Sequence, residues 1–504
     1  MQNDTLTLPR DTNQVRGLAE YALAFLTGGG AEPDAAVFQT IERFHLDSIA
    51  CGVSALALGT NAPHVLRREA LEYAAARGVP LFGSRTPVMP EKAVVANSSA
   101  VREWDSNGTN FGYDPARGHT AGEFGHNDYY PVAIAAAQLA GYDGIQTLRA
   151  LLLVDEIRGR LAEVFSLKTY KVDHVVHGAI ASAITFAAVL GATVEHIESA
   201  VGLVVAHYIP FRAIRAGKQL SDSKGASAAI SSEAAVLSAR RAMRGFVGPA
   251  DVFRNPEAIF CLFEKPSRKG ESPFDLVLGR TGSDFAVMGM HFKIGLYEHQ
   301  SAGAIQGLID LLVANPGLLD DEAKIRRLAI TIYEPAFGII GDPAKRDPRT
   351  RQSADHSMVY IVATLLRKAL ETKRAGWEEL MLLPADYDDA ALVHPLTRRL
   401  MERIDFRHGG REYDDKYPDG IPTSLEIEHA DLGTVSSGLV MYPEGHARNR
   451  SGNLDRLLTT KFRRLAGLGV DDVAGLEARF TNLAAKTPAE IADLYNFAIR
   501  NVPA

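Results

Sequence analysis

Residues 327–333, RLAITIY, alternate apolar, β-branched and polar positions in a chain that is otherwise written largely in helical periods. That change of period decides the fold. Two further segments read as strands, 423–429 (TSLEIEH) and 434–441 (TVSSGLVM), placed to pair across a turn at Asp431 and Gly433. Between the first strand and these two, residues 353–372 read as helix. Upstream the text is rich in alanine. Residues 34–52 carry a stripe through Val37, Ile41, Phe44, Leu46 and Ile49, close to the spacing of one helical face. Residues 131–140, 148–165, 178–190 and 226–244 continue in that style, with Gly141 and Gly191 as C-terminal stops. Residues 453–467 return to helix. The expectation is a mainly α protein with an α+β part. A large all-helical domain spans 1–283 and 444–504, and a smaller α+β lid domain, 284–443, is inserted before the C-terminal helices.

Composition narrows the chemistry. Hydrophobic residues are 46% and charged residues 23% of the 504, the balance of a soluble globular protein. The net charge is -7 and no basic tail or stripe stands out, so no nucleic-acid partner is expected. An anionic substrate would have to be drawn by a local cluster of cations, since the global field opposes it. Two cysteines, Cys51 and Cys261, are too few for a disulfide framework or a thiolate-held iron–sulfur cluster, and read as apolar filler. Residues 1–14 have no apolar core of a secretion signal, and apolar runs are interrupted before membrane-spanning length. A cytoplasmic protein without a membrane partner is expected.

Six segments hold the polar residues that chemistry could use. Residues 103–128, EWDSNGTNFGYDPARGHTAGEFGHND, form the densest, with Asp105, Thr109, His119, His126 and Asp128 among five glycines. His119 and His126 with Asp105 or Asp128 could bind a metal, but their spacing fits no helical ligand pair, and a direct acid–base role is favoured. Residues 167–178, LKTYKVDHVVHG, place His174 and His177 at the head of an apolar helix, where one would suit an anion and the other would pack. In 212–229, RAIRAGKQLSDSKGASAA, Ser221, Asp222 and Ser223 offer helix caps. Lys224 then opposes the helix dipole, a poor choice for stability that a bound carboxylate would reverse. Residues 290–300, MHFKIGLYEHQ, isolate Lys293 among apolar residues. Tyr333 ends the first strand, where packing is the plain alternative. In 351–360, RQSADHSMVY, Asp355 and Ser357 flank His356 and either orient it or cap the helix. No GxGxxG, Walker A or GxSxG pattern appears at a strand–helix junction, which disfavours nucleotide binding and serine hydrolysis.

In this order the segments resemble the MmgE/PrpD family over nearly the whole chain. The marks are WDSNGT (104–109) with the later GHND (125–128), SKGASAAISSEAAVL (223–237), the FKxxxxxH-like segment at 292–299, and ADHSMVYIVA (354–363). The resemblance implies a helical domain and an α+β lid with the site between them, a homodimer, and no metal or organic cofactor. It implies Asp105, His126, His174 and Tyr333 as catalytic residues. Thr109, Lys224, Lys293 and His356 would bind substrate. The implied activity is dehydration of a small tricarboxylate, 2-methylcitrate and also citrate, with cis-aconitate decarboxylation or aminodicarboxylate epimerisation as relatives on the same scaffold. A non-catalytic carboxylate-binding protein is the alternative of a different class. The expected chemistry removes a proton α to a carboxylate, with His126 or Asp105 as base and Tyr333 or His174 as acid.

Overall fold

Helix Val175–Val189 is the centre of the molecule, buried at all 15 of its residues. It touches helices Gln14–Leu26, Tyr130–Ala140, Gly144–Val164, Val194–His207 and Ser227–Ala242. Such crowding needs small side chains at the contacts. Ser227–Ala242 buries Ser231, Ala235, Ala239 and Ala242, and a side chain at Gly178 would run into the ring of Tyr129. Helices Pro90–Arg102 and Ala35–Ala57 extend the bundle, and Leu454–Ala466 returns from the far end of the chain to pack on Ala35–Ala57. Gly141 (φ 67°) and Gly191 (φ 76°) end their helices in the left-handed conformation. This computed structural model describes residues 4–29, 31–111, 123–124, 126–215, 219–334, 336–340 and 343–502.

The protein is thus mainly helical, with a smaller sheet-containing region before the C-terminal helices. The four-stranded sheet runs Ile404–His408, Ile325–Ile332, Thr423–His429, Gly433–Ser436. The first pair is parallel and the others antiparallel. Thr423–His429 alternates strictly between buried and half-buried, and helix Ala302–Ala314 covers it. That helix approaches so closely that a side chain at Gly303 would strike Thr423.

Several expectations are corrected in detail. Ile404–His408 is a strand that the periodicity did not show; it lies at the sheet edge with only Ile404 buried, so it carries no alternation. The 434–441 strand is interrupted. Ser437 Oγ accepts the Leu425 N–H at 2.9 Å and Gly438 turns left-handed, and pairing resumes where Val440 N donates to Thr423 O at 2.8 Å. The helix expected over 353–372 is two helices, Arg351–Ala354 and Met358–Thr372, with Asp355 and His356 in the break. The helical part also contains short ribbons, such as Thr5–Leu8 against Leu276–Gly279. Both cysteines are buried and unpaired by disulfide. Among the described residues no single helix is long and apolar enough to cross a membrane.

Candidate active site

Asp105 follows helix Pro90–Arg102 and is buried, yet four basic side chains surround it. Lys293 Nζ lies 2.5 Å from Oδ1 and Arg102 Nη1 3.1 Å from the same oxygen. His356 Nε2 is 2.9 Å and Lys224 Nζ 3.9 Å from Oδ2. Burial by itself would raise the Asp105 pKa, but the charges of Lys293, Lys224, His356 and Arg102 outweigh it and hold the carboxyl well below its usual range. Asp105 is therefore an anion that neutralises a knot of positive charge.

Each of these groups is fixed by a different stretch of chain. Arg351 donates to Glu103 Oε1 at 2.6 Å, to the Glu103 carbonyl at 2.9 Å and to Asp355 Oδ2 at 3.1 Å, with its guanidinium 5.0 Å above the Trp104 ring. This ties the helix break to the Asp105 loop. Asp355 also bonds His356 Nδ1, while Ser357 caps Met358–Thr372 by accepting the Tyr360 N–H. The backbone seals the rest: Tyr297 N donates to Asp105 O at 2.9 Å and Glu298 N to Asp355 O at 2.8 Å. Beneath the knot, Lys461 Nζ meets Asp47 Oδ1 at 2.5 Å and donates to the carbonyls of Ser106 (2.6 Å) and Lys293 (2.8 Å).

A cavity opens above Asp105. Arg102, Lys168, Arg212, Lys224, Lys293 and Lys345 line it, together with His174, His299 and His356. Among the described residues, Asp105 and Glu298 are the carboxyl groups in its wall. Cations gathered in this number in a chain of net charge -7 make a local anion site. His174 precedes helix Val175–Val189, with Nδ1 3.2 Å from Asp173. His177, one turn on, is wholly buried, and burial with the charge of Arg158 lowers its pKa to about 3. His299 is buried with neither ring nitrogen bonded among the described residues; burial first, then Lys293 and His446, push its pKa well down and keep the ring neutral.

Of the residues read from the sequence, Asp105, His174, Lys224, Lys293 and His356 come together at this cavity. Tyr333 is not in its wall. It is fully buried, stacked on Tyr417 at 4.3 Å between ring centres, with its hydroxyl unpaired among the described residues. Thr109 starts a short strand paired with Phe124, and His126 opens the turn His126–Tyr129; the side chains of both lie outside the described residues, as do Asp114, Arg117 and His119 entirely. The capping expected around Lys224 is corrected: Ser221 makes no side-chain cap, and the Asp222 carboxylate is taken by Asn61 (2.6 Å) and Gln352 (3.2 Å). Sequence reasoning passed over Arg102, Lys168, Arg212, Lys345, Glu298 and His299. His299 closes the FKxxxxxH-like segment, which was its one signal.

Asp105, Asp355 and His356 bring ligand atoms within 4.8 Å of one another, as a metal site would. Lys293 and Arg102 already bond Asp105, so a metal ion would meet two positive charges there, whereas an anion is favoured. Asp128, the acid of the other metal arrangement considered, is buried against Asn107 and Arg102.

Comparison with known proteins identifies the family. A model of the MmgE/PrpD N-terminal domain matches residues 18–270, and one of the MmgE/PrpD C-terminal domain matches 299–482. The chain is 25% identical over 451 residues to a 2-methylcitrate dehydratase of Escherichia coli (strain K12), covering 84% of each chain. It is 25% identical over 456 residues to a protein of the same description from Salmonella typhimurium, covering 84% of each. For one from Cupriavidus necator the identity is 24% over 456 residues, covering 84% of this chain and 85% of the relative.

Proposed function

This chain belongs to the MmgE/PrpD family, and on that premise we propose that it is a hydro-lyase that eliminates water from 2-methylcitrate to give 2-methylaconitate. The observation that carries the reading is the ring of six cations around one cavity of a net-negative protein. A tricarboxylate brings three negative charges. Lys224, Lys293 and Arg102, balanced by Asp105, line the cavity and are placed to meet those charges. Removing the proton α to a carboxylate builds an enediolate-like anion, and fixed cations aimed at it lower the barrier.

Asp105 is a weak base here, because the charges of Lys293, Lys224, His356 and Arg102 hold its pKa well down. The proton acceptor is therefore an imidazole, His126 or His174. His356, held by Asp355, orients Asp105 and reaches the same cavity.

The test is direct. Protein treated with EDTA is mixed with 2-methylcitrate, and the unsaturated product is followed by ultraviolet absorbance. Turnover is expected, and Lys224→Ala should lower kcat/KM by about 10²-fold or more. Unchanged turnover in Lys224→Ala would remove the substrate-binding role. Failure of 2-methylcitrate, with conversion of cis-aconitate or an aminodicarboxylate, would move the reaction class to decarboxylation or epimerisation.

A further inference from the structure

Glu298 lies between Lys293 and helix Ala302–Ala314, in the gap between the two matched family spans. Its backbone is pinned on both sides, by the bond to Asp355 O and by Ser301 N donating to its own carbonyl at 3.0 Å. Side-chain Oε1 accepts the Gln300 N–H at 3.0 Å and caps the short turn His299–Ser301. Oε2 is buried with no partner among the described residues, although Glu298 is a wall of the cavity. A cap needs only one oxygen, and a shorter acid or a serine supplies it. The second oxygen, dry and unpaired, is costly for an ionised carboxylate and natural for a carboxylic acid that donates toward a ligand.

The two carboxyl groups of the cavity stand in opposite surroundings. Asp105 is wrapped by cations, whereas burial pushes the Glu298 pKa up, against the Gln300 N–H and His356, with Asp105 adding to the rise and Lys293 opposing it. Paired titratable groups driven apart in this way divide the anionic and acidic tasks of a site.

We infer that Glu298 is the acid of the elimination and gives its proton to the departing hydroxyl, an inference that rests on the dehydration proposed above. The imidazole base takes the α-proton, and the C–H electron pair becomes the second bond of C=C. The C–O pair leaves with oxygen, the Glu298 O–H breaks, and its proton completes the water. The enzyme is left with a protonated base and a Glu298 carboxylate. One proton released to solvent by the base and one taken up by Glu298 restore the start.

Glu298→Gln keeps an oxygen for the Gln300 cap and has no acidic proton. With 2-methylcitrate its kcat is expected to fall about 10²- to 10⁴-fold with KM near wild type, and the alkaline limb of the kcat–pH profile should vanish. Glu298→Asp, which withdraws the acid without deleting it, should lose less and keep that limb. Infrared difference spectra of ligand-free wild type against Glu298→Gln should show a protonated-carboxyl band that titrates above the ordinary glutamate value of about 4.3. This readout needs no turnover. Wild-type kcat and profile in Glu298→Gln, a loss expressed only in KM, or no such band would each overturn the assignment. A wild type with the band and no product from 2-methylcitrate would instead overturn the dehydratase reading, and the step with it, leaving the carboxyl state standing.

Discussion

Both ring nitrogens of His45 are buried without a hydrogen-bond partner among the described residues, and the ring meets Tyr130 and Phe480 edge-on. Burial lowers its pKa to about 3, as it does for His177 with Arg158 contributing. The folded value lies below the unfolded one of about 6.5, so the unfolded chain takes up the proton first. Stability from each group is full above about pH 6.5 and falls toward pH 3 by about 1.4 kcal/mol per pH unit. Urea unfolding at pH 7 and pH 5 should show this loss, and His45→Phe should reduce it by one histidine's share. The difference between the two pH values is read because phenylalanine is larger and shifts absolute stability; equal losses in both proteins would refute the account. Residue identity carried much of the site. Asp105, Lys224 and Lys293 are charges in apolar or Gly-rich text, and such charges need a reason. Tyr333 was harder, since a tyrosine ending a strand looks the same whether it faces a ligand or another ring, and here Tyr417 is its neighbour. Arg102 and Lys345 are ordinary surface types in sequence, and only folding turns them inward.

At the scale of elements, helix Leu454–Ala466 does more than close the bundle. Lys461 is its buried cation, and the Asp47 carboxylate on helix Ala35–Ala57 is its counter-charge. Lys461→Met leaves Asp47 buried and alone, a change that costs about 3–5 kcal/mol for pairs of this kind. It also frees the carbonyls of Ser106 and Lys293. On the proposed function the expected result is a lower Tm with a KM for 2-methylcitrate raised more than kcat is lowered, because the displaced Lys293 is a proposed substrate-binding group; a fall in Tm alone would make Lys461 purely structural. The helices were legible because each packs one apolar stripe on the bundle, as residues 34–52 show. Ile404–His408 was not, because an edge strand with one buried residue has no pattern to read. The break at Asp355–Ser357 was hidden for the opposite reason: the apolar periodicity runs across it, and the ion pairs to Glu103 and Asp105 that fix the break are distant in sequence.

Over the whole molecule, the charge pattern is the main lesson. A net charge of -7 predicted that any anion site must be a local concentration of cations, and the cavity supplies one from five separate stretches of chain. Tricarballylate, a tricarboxylate without the leaving hydroxyl, should therefore bind and stabilise, by about 2.7 kcal/mol at a hundredfold excess over Kd. A thermal shift should report it, and Lys224→Ala with Lys293→Ala should abolish it; a shift retained in the double variant would place the ligand elsewhere. The mainly helical architecture with an inserted sheet was readable from the change of period at 327–333. The joining of distant stretches into one wall was not, because it depends on contacts such as Lys461 to Lys293 that no local pattern encodes. That last contact also bears on how the protein comes into being. Every cavity residue from Arg102 to His356 has been synthesised while Lys461 is still unmade. A growing chain therefore holds these cavity residues over an Asp47 that still lacks its Lys461 counter-charge, and the floor of the cavity is laid only when helix Leu454–Ala466 has been made.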